Sequence, residues 1–236
     1  MTSGCLYVIG TPIGNLGDIT LRAIATLEKI DVLFCEDSRV SSRLINHLLT
    51  NNLITKKPRY VPYNEFNEDR IFRQIVQMVS EGVAVGLVSD AGMPAISDPG
   101  YKAIRGCFDA KLSVQVIPGP TALTTALPYS GVGGEIVLYL GFLPKTSGKA
   151  LKILDSSRKM LDEIPSTRIV LYVSPHRLLK DLEHIKQVMG EHTHCVLMRE
   201  LTKQFEERVE GSVSELIEKY GIKKIKGELV LVLSQK

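Results

Sequence analysis

Glu36, Asp37 and Arg39 crowd one short stretch, "CEDSR" (35–39), directly after an apolar run. Two carboxylates beside a guanidinium suit proton transfer, with the arginine orienting them or meeting a phosphate. Three other stretches concentrate glycine, proline and polar residues beyond what packing requires. "GTPIGNLGD" (10–18) places Gly10, Gly14 and Gly17 after an apolar run, and "VSDAGMPAISDPG" (88–100) carries Asp90 and Asp98. "IPGPTAL" (117–123) delivers Thr121 to the start of a helical pattern. Any one of these could be an ordinary turn. All four fall where strands should end, and that concentration points to a ligand site.

The first loop departs from the dinucleotide fingerprint G-x-G-x-x-G, because three residues separate Gly10 from Gly14 and one of them is Pro12. A phosphate cradle stacks backbone N–H groups at a helix start. Pro12 removes one donor, and Asp18 adds a negative charge where a diphosphate would sit. With Asp90 nearby in the pattern, the loops favour a ligand with a positive centre, and the sulfonium of S-adenosylmethionine meets that preference. No G-x-S-x-G, Walker lysine loop or H-E-x-x-H competes. "HTHC" (His192, His194, Cys195) has no second ligand cluster to complete a metal site, so no metal is expected.

Strand-like and helix-like patterns alternate along the chain, as in an α/β protein. Strands are expected at 5–10, 31–37, 59–64, 83–90 and 113–118, the third demoted to an edge by Pro62. Between them lie helices at 18–30 with Asp18 as N-cap, from Ser38 through Leu49, at 67–82, from Asp98-Pro99, and from 119. "LPYSGVGGE" (127–135) is the best boundary, giving two α/β domains at 1–128 and 129–236. In the second, strands at 136–143, 168–174, 194–201 and 228–234 interleave with helices at about 147–164, 175–189 and 212–220.

With 44% hydrophobic and 23% charged residues, the composition is that of a globular protein. No apolar run reaches the roughly 18 to 20 residues that a membrane span needs. "MTSGCLYVIG" lacks the basic and apolar regions of a signal peptide, so a cytoplasmic location is expected. Cys5, Cys35, Cys107 and Cys195 are scattered and read as reduced, mostly buried thiols. Of the net charge of +3, the excess lies in the second half, including Lys223, Lys224 and Lys226. That is weak support for a polyanionic partner.

Seven ordered stretches resemble the tetrapyrrole methylase family, and within it the members that act on ribosomal RNA of the small subunit. They are "TPIGNLGDIT" (11–20), "EDSR" (36–39), "SDAGMPAISDPG" (89–100), "PGPTAL" (118–123), "GFLPK" (141–145), "VSPHRL" (173–178) and "RELTKQFEE" (199–207). The resemblance implies a class III methyltransferase fold, two α/β domains with a cofactor cleft between them, and a homodimer. It implies S-adenosylmethionine as cofactor, held near Pro12, Ile13, Asp90, Ala91, Gly92, Met93, Thr121, Ala122, Tyr172 and Gly227. The implied reaction is 2′-O-methylation of a cytidine ribose in 16S ribosomal RNA.

Departures from the pattern are Asn64 and Phe66 in place of common histidines, Val173 in place of Glu, and Met93 in place of Thr. The chain also ends soon after its last strand, where many members carry a helical extension. Under this resemblance Glu36, Asp37, Arg39 and Glu200 are the catalytic candidates. Lys145, His176, Arg177 and Lys203 are the candidates for meeting RNA. An ion-pair network is the structural alternative for Glu200. Methylation of a corrin or porphyrin precursor, or cofactor binding without catalysis, are the competing functions.

Overall fold

The computed structural model describes residues 4–222 and 225–235, so Lys223 and Lys224 lie outside the described residues. The chain divides into two compact units, Met1–Thr121 and Ala122–Lys236. The division falls ahead of the helix that precedes the glycine-rich stretch 131–134.

The first unit is a five-stranded parallel sheet of β1 (Cys5–Ile9), β2 (Val32–Cys35), β3 (Arg59–Pro62), β4 (Ala84–Val88) and β5 (Ser113–Ile117). The spatial order is β3-β2-β4-β1-β5, with the proline-bearing β3 at an edge. Successive side chains on a strand point to opposite faces. Leu6 and Val8 of β1 therefore join Ile75, Val79, Ala103 and Cys107, while Ile9 joins Ala23, Leu27, Ile45 and Leu48. The first set comes from α3 (Glu68–Ser80) and α4 (Tyr101–Asp109), the second from α1 (Leu21–Leu27) and α2 (Ser38–Thr50). Both faces are covered, which is why the central strands read as unbroken apolar runs.

The second unit contains α5 (Ala122–Ser130), β6 (Ile136–Phe142), α6 (Ser147–Glu163), β7 (Thr167–Val173) and α7 (Leu178–Met189). It continues with β8 (His194–Arg199), β9 (Glu207–Ser212), α8 (Val213–Gly221) and β10 (Leu229–Ser234). Its sheet has the order β6-β7-β10-β8-β9, with β6 and β7 parallel and the remaining pairs antiparallel. Leu154 and Leu161 of α6, Leu182 and Ile185 of α7, and Leu216 of α8 pack with Ile169, Leu197 and Leu231 of the strands into one core.

Several local expectations need correction. Asp18 does not cap α1. It ends a short 3-10 turn capped by Asn15, and Thr20 caps the helix by accepting from Ala23 N–H. The helix expected from Asp98-Pro99 begins at Tyr101, because left-handed Ala95 and Ser97 and the Ala95 N–H to Pro99 C=O bond hold 95–99 as loop. Helix α5 runs through Pro128, which lacks the N–H donor of an interior helical position, to Ser130. Strand β9 was not expected. Its residues are half-buried or exposed, and glutamates at 207 and 210 mask the alternation.

Candidate active site

Parallel strands send their outgoing loops to one edge, and the connections from β1 and β4 leave in opposite directions. One leads through α1 to β2, the other through α4 to β5, over opposite faces of the sheet. Ligands in such sheets collect at this switch point. The loops are joined there: Thr11 N–H donates to Gly92 C=O at 2.8 Å, and Gly92 N–H returns to Thr11 C=O at 3.1 Å. Gly92 has φ +79°, a conformation that suits glycine. Gly10 and Gly119 touch through their backbones. A Cβ on Gly10 would lie 2.5 Å from the Met93 sulfur and 2.6 Å from Gly119 N. Glycine at 10 thus serves loop packing, with Pro12 and Ile13 buried beside it.

Glu36 and Asp37, adjacent in sequence, have opposite environments. Asp37 caps α2 by accepting from Arg39 N–H at 2.8 Å, and its carboxylate pairs with the Arg39 guanidinium at 2.6 Å. That hydrogen bonding holds its pKa down at about 2. Glu36 is pushed up to about 7, first by burial, then by the charges of Asp98, Asp90 and Glu65. Asp90 is also raised by burial, against the Asp37 N–H that donates to its Oδ1 at 2.9 Å. Neighbouring carboxyls driven apart in this way divide into a permanent anion and a group ready to exchange a proton near neutrality. Among the described residues neither Glu36 nor Asp90 has an ion-pair partner. Two half-buried carboxyls with no ion pair of their own suit a ligand bearing a cation.

In the second unit, Tyr172 stacks edge-on with Tyr139 and Phe142, and its hydroxyl accepts from Leu123 N–H at 3.1 Å, next to Ala122. Glu200, left-handed at φ 53°, accepts from Lys203 Nζ at 2.8 Å and from Glu228 N–H at 2.9 Å. Burial raises its carboxyl, but those bonds outweigh it and hold the group below its ordinary value. A Cβ on Gly227 would strike the Glu200 side chain at 2.6 Å, so the two are packed together. Glu200 thus sits in an ion-pair network, the structural alternative to a catalytic role. Arg177 donates to the carbonyls of Leu143 (2.6 Å) and Pro144 (3.0 Å) and to buried Asp181 (2.9 Å). Its guanidinium holds the loop that presents exposed Lys145, and His176 stands exposed beside it. His194 meets Ser234 and Glu210, while Cys195 lies in the core.

A family model for Tetrapyrrole (Corrin/Porphyrin) Methylases matches residues 5–217. The chain belongs to the tetrapyrrole methylase family. It is therefore a methyltransferase. It is 40% identical over 233 residues to the ribosomal RNA small subunit methyltransferase I of Thermotoga maritima, covering 99% of each chain. Among solved structures it is similar to diphthine synthase, with TM-score 0.71, 14% identity, and coverage of 99% and 90% of the two chains. Uroporphyrin-III-C-methyltransferase from Thermus thermophilus gives TM-score 0.66 at 20% identity, with 98% and 94% covered. At such identities these two structures speak for the fold. Within this tetrapyrrole methylase, sequence reasoning assigned no role to Thr11, whose backbone bridge joins two loops, and marked Asp98 only as an acid of its loop, without its action on Glu36.

Proposed function

We propose that this tetrapyrrole methylase uses S-adenosylmethionine to methylate the 2′-hydroxyl of a cytidine ribose in 16S ribosomal RNA, with Glu36 as the proton acceptor. The Glu36 environment carries this reading: a half-buried carboxyl near pKa 7, faced by three acids and by no counterion among the described residues. The relatives' small-subunit ribosomal RNA activity supports the substrate class.

S-adenosylmethionine, when bound, supplies an activated methyl group on a sulfonium. The backbone at Pro12 and Ile13, the turn Asp90–Met93, and Thr121, Ala122, Tyr172 and Gly227 are the residues proposed to hold it. The negative charge of Asp90 and Glu36 favours the cationic centre. The ribose hydroxyl is a weak nucleophile, and a base poised near neutral pH serves it best. The Glu36 carboxylate takes the hydroxyl proton as the oxygen commits. Asp37, locked to Arg39, stays ionised and orients the start of α2. Lys145, His176 and Lys203 are proposed to meet phosphates, and Arg177 to fix the Lys145 loop. The protein is proposed to work in the cytoplasm as a homodimer.

Incubation with methyl-labelled cofactor and small subunits from cells lacking the modification tests this. Label in a nuclease-resistant, ribose-methylated dinucleotide is the expected result. Measurable cofactor binding with no transfer to those subunits overturns it.

A further inference from the structure

The loop between β4 and α4 carries Asp90 and Asp98, and its path is costly. Ala95 and Ser97 adopt φ 65° and 62°, the left-handed region that side chains disfavour. Such a path persists only when its ends are held from outside. Its entry is held by the Thr11–Gly92 bridge and by Thr11 Oγ1, which donates toward the carbonyls of Ser89 and Gly92 at 3.4 Å.

A carboxylate binds its exit. Glu68, the first residue of α3, accepts from Gly100 N–H at 3.0 Å through Oε1. The same oxygen accepts from the hydroxyl of Tyr63 at 2.9 Å. Tyr63 is fully buried, edge-on to Phe34, so it fixes Glu68 from the core side. Lys102 of α4 closes the arrangement at 3.6 Å from Glu68 Oε2. Gly100 itself, at φ +146°, has no side chain that could cap α4, and the Glu68 carboxylate stands beside that helix start instead.

We propose that Glu68, backed by Tyr63, is a positioning residue for methyl transfer: it pins the exit of the 89–100 loop and so sets where Asp98 stands against Glu36. Glu68 lies outside every motif singled out in the sequence. The charges acting on Glu36 are Asp98 and Asp90 from this loop and Glu65 from the β3–α3 turn, while Arg39 and Arg43 of α2 act on the neighbouring Asp37 and Asp90. Of these, Asp98 lies nearest the end that Glu68 holds. Releasing that end removes the charge that ranks second only to burial in raising Glu36.

The inference rests on the assignment of Glu36 as base, and two measurements separate their failures. The first follows the Glu36 carboxyl carbon by NMR titration of the free protein, assigned with Glu36→Gln. Glu68→Ala is expected to lower the Glu36 midpoint by half a pH unit or more. Glu68→Gln keeps an acceptor for Gly100 N–H and the Tyr63 hydroxyl, and is expected to restore the wild-type midpoint. Asp98→Asn should lower the midpoint in the wild type and add nothing in Glu68→Ala. Should Glu68→Ala fail to fold, Tyr63→Phe decides, with a smaller shift in the same direction expected. A folded Glu68→Ala, or Tyr63→Phe in its place, that melts earlier yet leaves the Glu36 midpoint unmoved overturns the proposal. The second measurement is the pH profile of methyl transfer to unmodified small subunits. A profile that ignores the Glu36 midpoint refutes the base assignment, whatever Glu68 does.

Discussion

At the scale of single residues, the site is defined by how the fold treats adjacent carboxyls. Glu36 is raised, so its protonated form favours the folded state. The stability it contributes is complete below about 4.5 and lost as the pH rises through about 7. Glu36→Gln should therefore melt higher than the wild type at pH 8, by about 1–2 kcal/mol once solvent screening is allowed for. The gap should close near pH 5, which thermal melts across the pH range will read. Asp37 has the opposite sign: its contribution is present above about 3.8 and fades as the pH falls toward about 2. Asp90 is proposed to act in cofactor binding. Asp90→Ala removes a half-buried carboxyl of the proposed cofactor loop and the anchor of Asp37 N–H, and should weaken cofactor affinity about tenfold by calorimetry. Unchanged affinity would remove this loop from the cofactor site.

At the scale of elements, the loops depend on close backbone packing that a single methyl group destroys. Gly119→Ala would place a Cβ 2.8 Å from the Gly10 carbonyl, where no side chain can swing aside. We expect a loss of about 1–3 kcal/mol by denaturant unfolding, together with weakened cofactor binding. Thr20→Ala, which removes only the cap of α1, should cost about 1 kcal/mol and leave binding alone. These contrasts also explain what the sequence disclosed. Strands β1 and β4 are unbroken apolar runs, and the loops after them stand out through glycine, proline and acids. Strand β9 was hidden because an edge strand needs no apolar run. The Glu68 clamp was illegible because its partner, Gly100, is 32 residues away and only the folded packing of α3 beside α4 joins them. Helix starts slipped by a few residues because Thr20 rather than Asp18 caps α1, and the left-handed loop at 95–99 delays α4 to Tyr101.

At the scale of the whole molecule, the proposed RNA contact depends on where unpaired cations stand. The net charge is +3. In α6, Arg158 and Lys159 are neutralised by Asp155 and Asp162. Its opening turns carry exposed Lys149 and Lys152 and no first-turn acid, just after Lys145. Cations at that end oppose the helix dipole, so solvation alone gives them no advantage. Replacing all three lysines by glutamine should weaken binding to small subunits and flatten its salt dependence, by up to about one unit of log-log slope for each phosphate that a lysine had neutralised. An unchanged slope would remove α6 from the RNA-facing surface. No helix among the described residues is long and apolar enough to cross a membrane. Glu36 is proposed to take the proton from a ribose hydroxyl of small-subunit RNA. Single-turnover methyl transfer to unmodified small subunits, followed from pH 5 to 9, reads that step. The wild-type rate should rise through a midpoint at or below about 7, the bound cation favouring the Glu36 carboxylate, and Glu36→Gln should be slower by at least about a hundredfold with that rise abolished. A Glu36→Gln enzyme that keeps the wild-type rate and profile would rule out Glu36 as the base.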